Sequence, residues 1–268
     1  MLFRRISGVV ATVCLVALLV SCTTVPVTGR RTLNLIPDSQ LVSMSLESYQ
    51  QVIGDSTLSK DRNELNMVAR VGDRIARATE SYLRAHGLPA DQYTWEFNVI
   101  KDDEQVNAWA MPGGKIAVYT GILPVAMDDA GLAAILGHEV GHVVANHGNE
   151  RMSQGLIVEF GGMGLSAALS QRPGATSDLF LASYGAAAEY GVLMPYSRLQ
   201  ESESDHIGLI LMAIAGYHPE AAIGLWERMD EEGGERPPEF MSTHPSPQSR
   251  IEDIRSHLPE AMAIYEQR

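Results

Sequence analysis

The 268-residue sequence is short of cysteine, with two, and short of basic residues, with 20 Lys+Arg against 33 Asp+Glu and a formal net charge of -13. That charge balance leaves no broad cationic face to neutralise phosphates, which excludes nucleic acid as a partner. Cys14 lies inside an N-terminal apolar run and Cys22 ends it. Beyond Cys22 no thiol remains for a disulfide or a thiolate metal site, so any metal must be held by His, Asp or Glu. Long apolar runs are missing too. The run from Val9 to Val20 is too short to favour a spanning helix. The Gly- and Ala-rich stretch from Gly155 to Ser170 contains Glu159 and reads as a buried helical connection, with a lid beside a cleft as its alternative. No internal repeat is present.

The N-terminus reads Met1-Leu2-Phe3-Arg4-Arg5, then the apolar run, then Leu19-Val20-Ser21-Cys22. Charge followed by a short apolar stretch is the order of a secretory signal peptide, and its last four residues resemble the lipobox of bacterial lipoproteins. Residues 1–21 are expected to be removed and Cys22 to be lipidated, with an ordinary signal peptide as the alternative. Thr23 in place of Asp favours the outer membrane, so the expected location is the bacterial periplasm. Residues 22–36 show no periodicity and read as a tether. Residues 37–268, in a chain that is 45% hydrophobic, suffice for one domain with a sizeable core.

Within that domain, Leu65, Val68, Val71, Ile75 and Tyr82 recur at helical steps until Gly87-Leu88-Pro89. The period then changes. Tyr93, Trp95, Phe97 and Val99 alternate as in a half-buried strand, and a hairpin follows: Asn107 to Met111, a turn at Pro112-Gly113-Gly114, and Lys115 to Tyr119. Helices are expected at 129–147, 176–192, 198–215, 219–231 and 246–256. A small sheet followed by helices is an α+β pattern.

One of these helices carries His138-Glu139-Val140-Gly141-His142. Residues four apart differ by about 40° around a helix and about 6 Å along it, so two imidazoles can converge on one ion while Glu139 stands beside them to hold a water. Leu136, Val140, Val143 and Val144 flank the motif, and unpaired charge in so apolar a helix would be costly. A third ligand from another element would leave the fourth position of a catalytic zinc open. Glu201 offers it, and Asp205, again four residues on, can accept the remaining N–H of a ligating His. Glu203 points elsewhere. His86, His218 and His257 lack ligand partners at useful spacing, His147 falls on the wrong side of the helix, and His206 faces away from Asp205.

With these motifs in order, the sequence resembles the gluzincin zinc endopeptidases of the CAAX-prenyl-protease and HtpX-related family, peptidase family forty-eight of the metallopeptidases, nearest to its LoiP-like and OMA-like periplasmic lipoprotein branch. The resemblance also rests on Asn107-Ala108-Trp109-Ala110-Met111-Pro112-Gly113-Gly114, on His147 with Glu150-Arg151, and on Thr243-His244-Pro245, and spans roughly residues 40 to 256. Ser204 departs from the Ala common in relatives.

The resemblance implies a mostly helical zincin-type domain with a small antiparallel sheet whose edge strand borders the cleft. It implies one Zn2+ per chain on His138, His142 and Glu201, with Glu139 as the catalytic carboxylate. His244 would be either a temporary fourth ligand or a donor to the oxyanion. Substrate would add as a strand beside Lys115, Ile116, Ala117, Val118 and Tyr119, with Asn107 and Ala108 in contact. The expected activity is cleavage of internal peptide bonds in misfolded or membrane-associated proteins, from a lipid anchor, with periplasmic quality control as the setting. Two rival readings are a zinc-binding outer-membrane assembly lipoprotein with little proteolysis, and a zinc exopeptidase or non-peptide hydrolase.

Overall fold

The protein is described from a computed structural model that covers residues 22–160, 197–232, 239–244 and 247–268. The expected signal peptide, the expected helix at 176–192 and most of the Gly-rich stretch lie outside the described residues. Among those described, no single helix is long and apolar enough to cross a membrane.

In chain order the elements are β1 (Cys22–Thr24), β2 (Arg31–Leu33), α1 (Asp38–Asp55), α2 (Arg62–Ala85), β3 (Glu96–Ile100), β4 (Ala108–Met111) and β5 (Lys115–Tyr119). A 3-10 turn (Thr120–Ile122) and α3 (Leu123–Ala126) lead into α4 (Asp129–Val144), α5 (His147–Phe160), α6 (Arg198–Ala215), α7 (Ala221–Glu232), α8 (Glu239–Thr243) and α9 (Pro247–Glu266). This is the α+β, mostly helical architecture expected, with small sheets.

α2 starts where the Asp61 carboxylate accepts from the N–H groups of Asn63 and Glu64, and it buries Val68, Val71, Ile75 and Leu83 along one face. α4 is capped in the same way by Asp128, and it is buried from Gly131 to Val144, which makes it the central helix. α6 begins with a reciprocal cap between Ser197 and Gln200 and stops at Gly216, whose φ of 80° suits glycine.

The site depends on how α4 and α6 cross. A Cβ on Gly141 would lie 2.6 Å from Ser204 Oγ, and one on Gly208 would lie 3.0 Å from the Gly137 carbonyl carbon. The two backbones therefore touch, and the face carrying His138 and His142 meets the face carrying Glu201 and Asp205.

Three expectations need correction. The three-stranded sheet is mixed, with order β3-β5-β4, because β3 runs parallel to β5 while β4 is antiparallel to it. Lys115–Tyr119 is thus the central strand, paired on both sides, and has no free edge to offer a substrate. Residues 22–33 form a hairpin rather than an aperiodic tether, with Val25 and Thr32 buried. Residues 38–55 form a helix, missed because only Leu41, Ser45 and Tyr49 are buried at its helical spacing. Tyr49 packs edge-on against Trp109 and donates to the Ile116 carbonyl, so this helix backs the sheet.

Candidate metal centre

One group of side chains among the described residues has the composition of a metal site: His138, His142, Glu201 and His244, all buried, with one candidate ligand atom from each lying within 4.8 Å of all the others. His138 Nε2 is 2.9 Å from His142 Nε2 and 3.1 Å from His244 Nδ1. Glu201 Oε1 is 3.0 Å from His244 Nδ1 and 3.3 Å from His142 Nε2. Nitrogens and carboxylate oxygens that sit about 2.0–2.2 Å from a tetrahedral zinc are roughly 3.3–3.6 Å from one another, so this donor set fits zinc in chemistry and needs to open by only a few tenths of an ångström to fit it in spacing.

Electrostatics favour the forms a metal requires. Burial, reinforced by Arg250, holds His138 well below the usual imidazole range, and burial with the neighbouring His138 does the same for His142, so both rings are neutral. Burial works against ionised Glu201, but His244 and Arg250 outweigh it and hold this carboxyl well below its usual range. Two neutral imidazoles and an anionic carboxylate converge.

The two imidazoles of α4 are held from behind. His138 Nδ1 lies 2.9 Å from Asp205 Oδ1, the contact the sequence suggested. Burial raises the Asp205 carboxyl, an effect that Arg250 opposes with bonds of 2.6 and 2.8 Å. Arg250 was not singled out from the sequence. It is buried, reaches Glu201 as well as Asp205, and lies over the Trp226 ring at 3.7 Å from its centre. His142 Nδ1 meets His147 Nδ1 at 2.8 Å, and His147 Nε2 meets Glu203 at 2.9 Å. His147 is thus absent from the ligand group, as expected, yet it belongs to the site, and Glu203 joins it there rather than facing away.

Glu139 stands beside the group. His244 Nε2 lies 3.3 Å from its Oε1, and the backbone of Ala110 in β4 bonds its carboxyl. Burial pushes this carboxyl up to about 7, with His244 and Arg250 pulling the other way. A carboxyl poised near neutrality can take up and return a proton.

The remaining candidates separate. In β4 the Asn107 carbonyl accepts from Tyr119 N–H, so by antiparallel alternation Ala108 and Ala110 turn their N–H groups away from β5, that of Ala110 to Glu139. Asn107 Oδ1 is buried without a hydrogen-bond partner among the described residues. Lys115 spends its ammonium on the Thr94 carbonyl and Glu96, away from the metal group. His206 stacks on His257 and bonds Glu260, and His86 bonds the Tyr82 carbonyl; all three lie apart from the site.

A neutral His pair on one helix, a carboxylate on a second and another carboxyl beside them have the composition of a zincin-type metallopeptidase site. Residues 69–258 match Peptidase family M48, and the chain belongs to that family of zinc metalloendopeptidases. The chain is 37% identical over 247 residues to the mitochondrial metalloendopeptidase OMA1 of Schizosaccharomyces pombe, covering 90% of this chain and 68% of that one. It is 26% identical to the Escherichia coli metalloprotease YcaL, covering 86% of this chain and 92% of that one. The Escherichia coli β-barrel assembly-enhancing protease is 24% identical, with 88% of this chain matching 47% of the relative.

Proposed function

We propose that the chain is a zinc-dependent endopeptidase of the bacterial envelope that cleaves misfolded or membrane-associated polypeptides, with His138, His142 and Glu201 as ligands and Glu139 as proton acceptor. The observation that carries this reading is the convergence of those three donors beside a carboxyl that needs no role in holding the ion. Zinc bound there supplies a Lewis acid for the scissile carbonyl and a water acidified toward about pH 7. Glu139 takes the proton of the attacking water and returns it to the leaving amine. His244, whose Nδ1 is aimed at the same group, would act either as a fourth ligand or as a donor to the oxyanion. The match to an Escherichia coli protease named for β-barrel assembly supports an envelope setting.

Glu201→Gln tests the ligand set. Its neutral amide binds zinc more weakly, so metal and cleavage of a casein-type substrate are expected to fall together and the melting temperature with them, since metal binding is linked to folding. Chelation of the wild type should reproduce the loss. A Glu201→Gln protein with full zinc and full turnover would refute the assignment.

The docking strand moves from β5 to β4. We propose that substrate pairs along the outer side of Ala108–Met111, with Asn107 Oδ1 as a further acceptor. Ala108→Pro deletes an outward N–H while sparing the ladder to β5, so KM should rise by about tenfold for one lost hydrogen bond, at unchanged zinc content. Unaltered kinetics would rule out this edge.

Lipidation of Cys22 is the proposed anchor, supported by the lipobox-like residues before it. Labelled fatty acid is expected to enter the wild type and not Cys22→Ser; equal labelling of both would end the proposal. The β1–β2 hairpin begins at this cysteine, so such an anchor would hold the domain with little slack.

A further inference from the structure

We infer that Arg30, Glu203 and His147 form a positioning chain that fixes the tautomer and orientation of His142, which makes the N-terminal hairpin a working part of the metal centre. The inference rests on the zinc reading above and extends it to residues outside the ligand set.

The direction of the chain follows from the atoms. His142 turns Nε2 toward the ligand group, 2.9 Å from His138 Nε2 and 3.3 Å from Glu201 Oε1, so a metal there requires that nitrogen without its proton. The proton of the neutral ring is then on Nδ1. That atom lies 2.8 Å from His147 Nδ1, which must accept, and the proton of His147 is therefore on Nε2. His147 Nε2 donates to Glu203 Oε2 at 2.9 Å, and a carboxylate only accepts. Glu203 in turn accepts from Arg30 Nε at 2.8 Å and from the Thr28 hydroxyl. Donation runs from His142 through His147 to Glu203, and Arg30 and Thr28 donate to the same carboxylate from the hairpin side.

Burial gives the chain consequence. His147 is fully buried, with His142 at 3% and Glu203 at 5% exposure, so a broken link leaves a polar group unpaired in the interior. The two ligand histidines are supported differently. His138 turns Nδ1 to a carboxylate, Asp205, whereas His142 turns Nδ1 to a second imidazole, and that second ring adds a joint that must be held. Thr28 and Arg30 hold it from the β1–β2 connection and β2 approach, a segment outside residues 69–258 that match the family. Arg30 is itself fixed by two bonds to Glu150, at 2.7 and 2.8 Å. Glu150 thereby acts on His142 only by way of Arg30, one step further back than Glu203, and its removal should matter less.

The test uses the full chain and measures zinc affinity by competition with a chromophoric chelator, at a temperature where every variant is folded, together with the visible spectrum of the cobalt-substituted protein. Glu203→Ala is expected to raise the zinc Kd by about 10–100-fold and to shift the cobalt spectrum, as loss of a ligand's outer partner commonly does. Arg30→Ala should raise Kd by less, and Glu203→Gln, which keeps an acceptor for His147, should recover much of the affinity. Glu150→Gln, which keeps one acceptor for Arg30, should lower the melting temperature and raise Kd by no more than Arg30→Ala does. Wild-type Kd in Glu203→Ala overturns the inference, as does Glu150→Gln weakening zinc to the same degree. If Glu203→Ala does not fold, the partly exposed Arg30 decides the matter, and unchanged zinc affinity in Arg30→Ala is equally fatal. A wild type that takes up no zinc would instead bring down the zinc reading itself.

Discussion

Glu139→Gln is expected to retain about one zinc per chain while losing about 10²–10⁴-fold in turnover, the usual contribution of a positioned general base. The expectation follows from where the side chain stands. Glu139 is buried beside the ligand group, its carboxyl faces His244 Nε2 at 3.3 Å and the backbone of Ala110, and it is absent from the set of converging donors. Gln fills the same volume and keeps the contact with Ala110, so packing and metal retention should survive. What disappears is a proton acceptor whose affinity burial has raised to about 7. KM should move little, because the change removes an interaction used in the chemical step rather than in binding. Metal analysis, a melting curve and steady-state cleavage on one preparation suffice. Loss of zinc in Glu139→Gln, with Glu201→Gln retaining it, would reverse the two assignments.

Much of this centre was legible because it is built on helical spacing. His138 and His142 on one helix, and Glu201 and Asp205 on another, are local patterns, and the structure brings those two faces together through glycine contacts between α4 and α6. The parts that were not legible are non-local. The Pro-Gly-Gly turn identifies β4 and β5 as neighbours, but nothing in either strand reveals that β3 returns to pair in parallel along the other side of β5.

A helix continuing through 147 puts His147 on its far side from the metal group. In the structure α4 ends at Val144, and Asn146 takes a φ of 56°, which turns the chain and carries His147 back to His142. Glu203 is two residues, and so about 200° around the helix, from Glu201, which turns it away from the ligand face; it is that opposite face which meets His147 and Arg30. Asn146 with its left-handed preference was the one local signal of the break.

Arg250 escaped notice for a related reason, and its removal carries the largest expected cost in stability. Nothing near it in sequence distinguishes it from a solvated helix residue, yet it lies 3% exposed between Asp205 and Glu201, which are themselves buried. Arg250→Met roughly keeps the volume and the contact with Trp226 while leaving two carboxylates in the interior without their cation. Breaking a buried pair by removing one partner typically costs about 3–5 kcal/mol, because the remaining charge is uncompensated. The cost should depend on zinc. In chelator both carboxylates lose their cation, whereas a bound zinc would still partner Glu201 and leave only Asp205 exposed to the deficit. Urea unfolding of wild type and Arg250→Met is therefore expected to show the full loss in chelator and a smaller one at saturating zinc. Arg250→Lys should recover only part in either condition, since a single ammonium cannot reproduce the forked contacts to both carboxylates. A loss below about 1 kcal/mol in chelator, the range of a surface pair, would mean that Arg250 does not balance this buried charge.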